Sequence, residues 1–206
     1  SNKAGYDDIV KVFFETDSDW SYGFSEDLNN DNEVYLDLAD GGYIFVNFWV
    51  ITPSIQDGKP LAGDGPHFAM KAQSSLDDRI ASWTFNLEMQ TFHNITIDMV
   101  QDNLSLEPGE NGGLNVTIRN NGNVETYLDA YLKYGSLNQD RIEIDNWTVA
   151  LFDNKQYSSL DVNESRTIEI GFDSPNINQG KFDVELIVMP QSFPQRAKSV
   201  QVSSLI

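Results

Sequence analysis

The chain has 206 residues, 40% apolar and 12% aromatic, enough to fill one large core or two domains of about 100 residues each. Its 32 acidic against 13 basic residues leave a net charge of −19, a field that repels phosphates and excludes nucleic acid and anionic membrane surfaces as partners. Cysteine is absent, which excludes disulfides, thiolate nucleophiles and Cys-ligated metals, and no run approaches the ~18–20 apolar residues of a membrane span.

Taken in chain order, the apolar pattern has a period of two and predicts strands. A first strand falls at Ile9–Phe14. Ile44-Phe-Val46-Asn-Phe48-Trp-Val50 predicts a second, with Ile44, Val46, Phe48 and Val50 on the core face and Phe45 and Trp49 opposite. Phe68–Ala72 and Ser82–Phe85 follow, then Ile95–Val100 and Leu104–Leu106. Leu114-Asn-Val116-Thr-Ile118, Thr167–Phe172 and Phe182–Val188 alternate cleanly. Asp40-Gly41-Gly42, Asp57-Gly58, Gly63–Pro66, Pro108-Gly109 and Asn178–Gly180 punctuate them as turns. Asn120-Asn-Gly122-Asn123 reads as a type I′ hairpin turn. No long amphipathic helix is legible. Short strands with regular turns predict a sandwich or barrel.

The pattern is written twice. Leu38–Pro53 aligns without a gap on Leu160–Pro175 at an offset of 122, setting Val46, Phe48 and Val50 on Ile168, Ile170 and Phe172. Gly41 falls on Asn163, and these two residue types tolerate the positive φ of a tight turn. Trp20 matches Trp147, Phe68–Ala72 matches Phe182–Leu186, and Arg79–Phe85 is set against Arg196–Val202. A one-residue slip would turn each inward set outward, so agreement across several strands is informative. The second copy has a front part, Ile95 to Ile118, that the first lacks. The expected fold is all-β: two tandem immunoglobulin-like β-sandwiches, residues 1–92, which either lack the first two strands or pair differently, and residues 93–206, complete with about seven strands.

The second copy carries a further pattern in Leu106-Glu-Pro-Gly-Glu110, Val116–Asn123, Trp147-Thr-Val149, Leu160–Pro175 and Gly180–Val184. It resembles the Ig-like modules of archaeal and bacterial surface proteins, the CARDB (cell-adhesion-related) domains and the Ig-like domain of secreted glycosidases. That resemblance implies a β-sandwich with adhesive, spacer or accessory roles and no catalytic residues. The insert from Ile55 to Pro66 and the segment from Gly135 to Ile144 depart from it.

Candidate chemistry is sparse. His67 and His93 sit in no triad or metal motif and read as structural. Calcium, which needs six to eight oxygens from a flexible acidic loop, is the one candidate ion. Asp27, Asp31 and Glu33 in one loop, and Asp57 and Asp64 in another, are its candidate ligands, set against a plain reading as Asx-rich turns. Trp49, Phe45 and Tyr43 are candidates for an exposed aromatic surface that stacks on a glycan. Five sequons, at Asn94, Asn103, Asn115, Asn146 and Asn163, are partly the product of an Asn-rich chain.

No resident cofactor is expected. The expected role is a non-catalytic structural, adhesion or spacer module of a secreted or cell-surface protein, alternatively a carbohydrate-binding accessory module of a secreted hydrolase. Expected partners are neighbouring domains of the parent chain, other surface proteins or a glycan. A homodimer through an open sheet edge is also among them; nucleic acid and membrane insertion are not.

Overall fold

A computed structural model describes residues 1–152 and 158–206. Strands dominate, and the helical structure among the described residues is a single 3-10 turn, Pro194–Arg196. The chain divides into two compact units: unit 1 holds Ser1–Ser54 and Ala62–Gln90, and unit 2 holds Ile55–Leu61 and Thr91–Ile206.

Unit 1 contains β1 (Asp8–Thr16), β2 (Ser21–Phe24), β3 (Glu33–Leu38), β4 (Phe48–Ile51), β5 (His67–Ser74) and β6 (Ile80–Asn86). Its main sheet runs β3-β1-β5-β6, all antiparallel, and β2 and β4 pair as a separate ribbon. Phe14 joins the two layers. Its ring stacks on Phe24 at 4.7 Å and meets Tyr22 and Phe48 edge-on at 5.6 and 5.5 Å, while Phe68 lies 5.5 Å away within its own sheet. Such offset and edge contacts follow the ring quadrupoles.

Unit 2 contains β7 (Ile95–Met99), β8 (Asn103–Ser105), β9 (Asn111–Asn120), β10 (Thr126–Tyr134), β11 (Leu137–Gln139), β12 (Arg141–Ile144), β13 (Trp147–Leu151), β14 (Ser158–Leu160), β15 (Ser165–Asp173), β16 (Lys181–Pro190) and β17 (Lys198–Leu205). One sheet runs β12-β13-β15-β9-β7 and the other β11-β10-β16-β17-β8, with β14 beside β10. Two sheets that share out their strands in this way, antiparallel except where β8 runs parallel to β17, make an immunoglobulin-like β-sandwich. The core interleaves Leu114, Val116, Ile118, Ile168, Ile170 and Phe172 from one sheet with Leu132, Phe182, Val184, Leu186 and Val188 from the other. These are the alternate residues of each strand, the positions that a period of two sends to one face.

The ladders of the two units coincide. In unit 1, β2 pairs β4 as Ser21↔Ile51 through Phe24↔Phe48; in unit 2, β13 pairs β15 as Thr148↔Asp173 through Leu151↔Ile170. Val12↔Ala72 and Leu132↔Leu186 occupy the same place in the main sheets. Gly41 and Asn163 both have positive φ, 71° and 68°, and both turns close with the same bond, Gly42 N–H to the Ala39 carbonyl at 2.9 Å and Glu164 N–H to the Asp161 carbonyl at 3.0 Å. The last strand pair differs from the sequence alignment by two residues: Met70↔Trp83 corresponds to Val184↔Val202, so Trp83 stands where Val202 does. A shift of two keeps the same face and is therefore invisible to the apolar pattern.

Two further expectations need correction. The strand expected over Ile44–Val50 is paired from Phe48 to Ile51, and no strand among the described residues lies beside residues 43–47 as β9 lies beside β15. Asn120–Asn123 is not a type I′ turn. Neither Asn121 nor Gly122 has positive φ, and the segment carries the chain from β9 in one sheet to β10 in the other. Gly122 is required for room, since a Cβ there would strike the Phe92 carbonyl oxygen.

Candidate functional site

The open face of unit 1 is the most site-like feature of the described residues. In unit 2, the inward residues of β16 and β17 are covered by the sheet that contains β9 and β7. Among the described residues, β2 and β4 make up that layer of unit 1. A cleft of about 800 Å³ therefore lies over the inner face of its main sheet, lined by Val10, Leu36, Met70, Ala72, Ile80 and Trp83. Trp83 is 53% exposed, whereas Val202 at the matching position is 1% exposed. Tyr6, Ile44 and Phe45 also border the cleft, and Lys3, Lys71, Arg79, Asp8 and Asp77 are its charged residues. Asp8 accepts from Ser75 Oγ at 3.1 Å, and its bonds to Ser74 and Ser75 hold the carboxyl below the usual aspartate range.

The three aromatic candidates do not form one flat platform. Tyr43 and Phe45 are 70% and 81% exposed, but their rings meet edge-to-face at 5.6 Å and 79°. Trp49 folds its ring over Gly23 in the cross-strand position, where a Cβ would lie 2.8 Å from the indole. Trp20 and Trp147 are buried, as core residues should be. Trp83, which the strand pattern alone does not mark as a surface group, belongs to the cleft. Its signal was present: a Trp on an inward position of a strand in the copy that lacks the covering strands.

The calcium candidates are used to build their own loops. Asp27 accepts backbone N–H bonds from Asn29, Asn30 and Asn32 at 3.2, 2.8 and 2.8 Å. Asp31 accepts from the Asn29 amide and the Glu33 N–H. Glu33 pairs with Lys11 at 2.5 Å, which holds its carboxyl below and the Lys11 ammonium above their ordinary values. Asp57 falls in unit 2, 3.9 Å from Arg119, while Asp64 falls in unit 1, its carbonyl accepting the Met89 N–H. No group of three or more His, Cys, Asp or Glu residues placed to hold a metal is found among the described residues.

Both histidines are engaged. His93 is buried, with Nδ1 2.9 Å from Thr126 Oγ1 and its ring 4.7 Å from Phe193, and burial lowers its pKa. His67 Nδ1 lies 2.7 Å from Asn86 Oδ1 across the β5–β6 ladder.

A second feature concerns the ends of unit 2. β8, near its start, runs parallel to β17, its last strand, in the register Ser203↔Asn103 through Leu205↔Ser105. Ser203 N–H donates to the Asp102 carbonyl at 3.0 Å and Leu106 N–H to the Leu205 carbonyl at 2.9 Å. No helix among the described residues is long and apolar enough to cross a membrane.

No family model matches the chain, and no curated protein matches it. Among solved structures, it is similar to a human ASH/PapD-like domain of CEP192, at 14% identity and TM-score 0.35, over 54% of this chain and 82% of that one. It is similar to the Dpr2 Ig1-Ig2 complex with DIP-Theta Ig1-Ig3, at 10% identity and TM-score 0.34, over 99% of this chain and 61% of that one. It is also similar to protocadherin gamma B7 extracellular cadherin domains 1-4, at 11% identity and TM-score 0.35, over 95% of this chain and 40% of that one. The chain thus spans less than two thirds of each of the last two structures, and likenesses this distant carry no function across.

Proposed function

We propose that this chain is a non-catalytic, load-bearing adhesion or spacer module of a secreted or cell-surface protein. The observation that carries the reading is the parallel pairing of β8 with β17. A pull along the chain enters unit 2 ahead of β8 and leaves it after β17. Between parallel neighbours, such a pull slides one strand along the other, so their hydrogen bonds share the load instead of opening one at a time. The engagement of His67 and His93 in structural bonds supports the non-catalytic part of the reading.

The test is single-molecule extension of the whole chain from its two ends. Unit 2 is expected to give the higher-force step, with a length gain of roughly 400 Å from the stretch between β7 and β17 at about 3.6 Å per residue. Ser203→Pro deletes the N–H that bonds Asp102 and should lower that force. A unit 2 that yields before unit 1, or a Ser203→Pro step of unchanged force, would overturn the reading.

A carbohydrate-binding accessory role is the second reading, and the exposure of Tyr43 and Phe45 favours it. Saturable heat on titration with soluble polysaccharides, abolished by Phe45→Ala, would establish it in place of the first.

A further inference from the structure

We propose that the outer face of the β13-β15-β9-β7 sheet of unit 2 bears N-linked glycans, attached at Asn115 and Asn146. The proposal rests on the extracellular part of the reading above, since the sequon is an acceptor in a secreted chain.

The sequons are confined to unit 2, at Asn94, Asn103, Asn115, Asn146 and Asn163. None of the unit 1 asparagines, Asn2, Asn29, Asn30, Asn32, Asn47 and Asn86, has a hydroxyl two residues on. The structure adds a common direction. Thr96, Thr117, Thr148 and Ser165, the hydroxyls of four sequons, lie on β7, β9, β13 and β15 of one sheet. Ile95, Val116, Trp147 and Ile168 of the same strands face the core, so alternation turns the four hydroxyls to solvent. The sequon spacing of two is also the period of a strand, so within β9 Asn115 and Thr117 stand on the same outer side.

Two of the five asparagines are free to carry a sugar. Asn115 and Asn146 are exposed, and neither side chain bonds another described residue. Beside Asn115 the sheet has a hollow of about 390 Å³, bordered by Asp98, Val100, Thr117 and Thr167. Asp98, Thr117 and Thr167 form one rung across β7, β9 and β15, a row of hydrogen-bonding groups for the hydroxyls of the first sugar. Val100 is fully exposed and gives the hollow an apolar wall. Asn146 stands at the tip of a two-residue hairpin: Asp145 and Asn146 have φ of 49° and 64° and join β12 to β13 beyond the pair Ile144↔Trp147.

The other three are engaged. Asn94 is half-buried, and its sequon hydroxyl, Thr96 Oγ1, accepts the Asn121 amide at 3.0 Å. The Asn103 amide nitrogen, the atom that would take the sugar, donates to the Asp102 carboxylate at 2.9 Å. Asn163 Oδ1 accepts from Arg119 Nε at 3.1 Å.

The sugar donor is an oligosaccharide linked through phosphate to a polyprenyl lipid. The Asn amide nitrogen bonds the anomeric carbon as the bond from that carbon to the phosphate oxygen breaks. The lipid phosphate leaves with the electron pair, and one amide proton is lost.

The test secretes the whole chain from yeast behind a cleavable signal. The sugars are then removed enzymatically in heavy-oxygen water, which turns each glycosylated Asn into a labelled Asp, and peptides are read by mass spectrometry. Label is expected at positions 115 and 146, with Asn94, Asn103 and Asn163 unlabelled. Asn115→Gln and Asn146→Gln should each delete one of two sugar-dependent steps in gel mobility. Thr117→Ala and Thr148→Ala, which keep the asparagine and remove only the sequon hydroxyl, should delete the same steps. Absence of label at either 115 or 146, or equal labelling of all five, would overturn the proposal. The signal imposes the compartment, so a negative result speaks against the sites alone; fractionation of the natural source tests the extracellular reading.

Discussion

Asn120 is the most exacting test of how unit 2 is held together. Its side chain is fully buried at the end of β9. Its amide donates to the Val124 carbonyl at 2.9 Å and the Leu160 carbonyl at 3.0 Å, and its Oδ1 accepts the Gly122 N–H at 2.9 Å. One side chain thus ties the β9–β10 crossover to the end of β14. Asn120→Ala takes the side-chain partner from the Leu160 carbonyl and the Gly122 N–H, while the Val124 carbonyl keeps its bond from Thr126 Oγ1 at 3.1 Å. At about 1–3 kcal/mol for each buried group left without a partner, and with partial relaxation, the loss should be about 3–5 kcal/mol. That is a large share of the ~5–15 kcal/mol that stabilises an ordinary domain. Asn120→Asp separates shape from chemistry. Its carboxylate still accepts from Gly122 but presents negative charge to two carbonyl oxygens, so the folded state favours the protonated form and raises the pKa. A raised folded pKa contributes stability at low pH that is lost as pH rises through it, so the deficit of the Asp variant relative to the parent chain should shrink between neutral pH and about pH 4. The assay is urea denaturation followed at the indole N–H of Trp147, which lies in unit 2 while Trp20, Trp49 and Trp83 lie in unit 1. A loss below about 1 kcal/mol in the Ala variant, or an Asp deficit independent of pH, would refute the account.

Further outcomes follow from the same contacts. Gly65→Ala puts a methyl group against the Leu87 carbonyl, a backbone atom that cannot swing aside, and should cost unit 1 about 1–3 kcal/mol in a denaturant titration read at its tryptophans. Burial depresses the pKa of His93, so the unfolded chain takes up its proton near pH 6.5 and the folded chain only at lower pH. Stability is therefore full above about pH 6.5 and falls as pH drops through the folded value, and His93→Gln should flatten that slope in urea midpoints taken at several pH values. Raising salt from about 0.1 to about 1 M shortens the screening length from about 10 to about 3 Å, so the melting temperature of this −19 chain should rise; a fall would show that its acidic surface is not self-repelling. Asp27→Ala removes three N–H acceptor bonds and should lower the melting temperature of unit 1 by a few degrees, with calcium neither rescuing the variant nor shifting the parent beyond an equal ionic strength of sodium.

Much of the sandwich was legible because burial on one face of a strand writes itself as alternation. Leu114-Val116-Ile118 and Phe182-Val184-Leu186-Val188 announced both their strands and their inward faces. The repeat was legible through the turn at Gly41 and Asn163, where a positive φ narrows the choice of residue. The glutamates and aspartates were ambiguous: carboxylates that cap backbone N–H groups, as Asp27 does, are the same residue types in the same spacing as a cation loop. Asn120 was misread because Asn-Asn-Gly-Asn looks alike whether the chain turns back beside itself or crosses to another sheet.

By itself the sequence determined which residues face inward and that one strand pattern occurs twice, because a period of two is a local property of the backbone. Only the tertiary structure decided which strands lie side by side, since pairing partners far apart in the chain leave no local mark. It placed β8 parallel to β17, drew Ile55–Leu61 into unit 2, and set a half-exposed Trp83 where unit 2 buries Val202. An inward-facing residue is buried only if another strand arrives to cover it, and that is a fact about the whole fold.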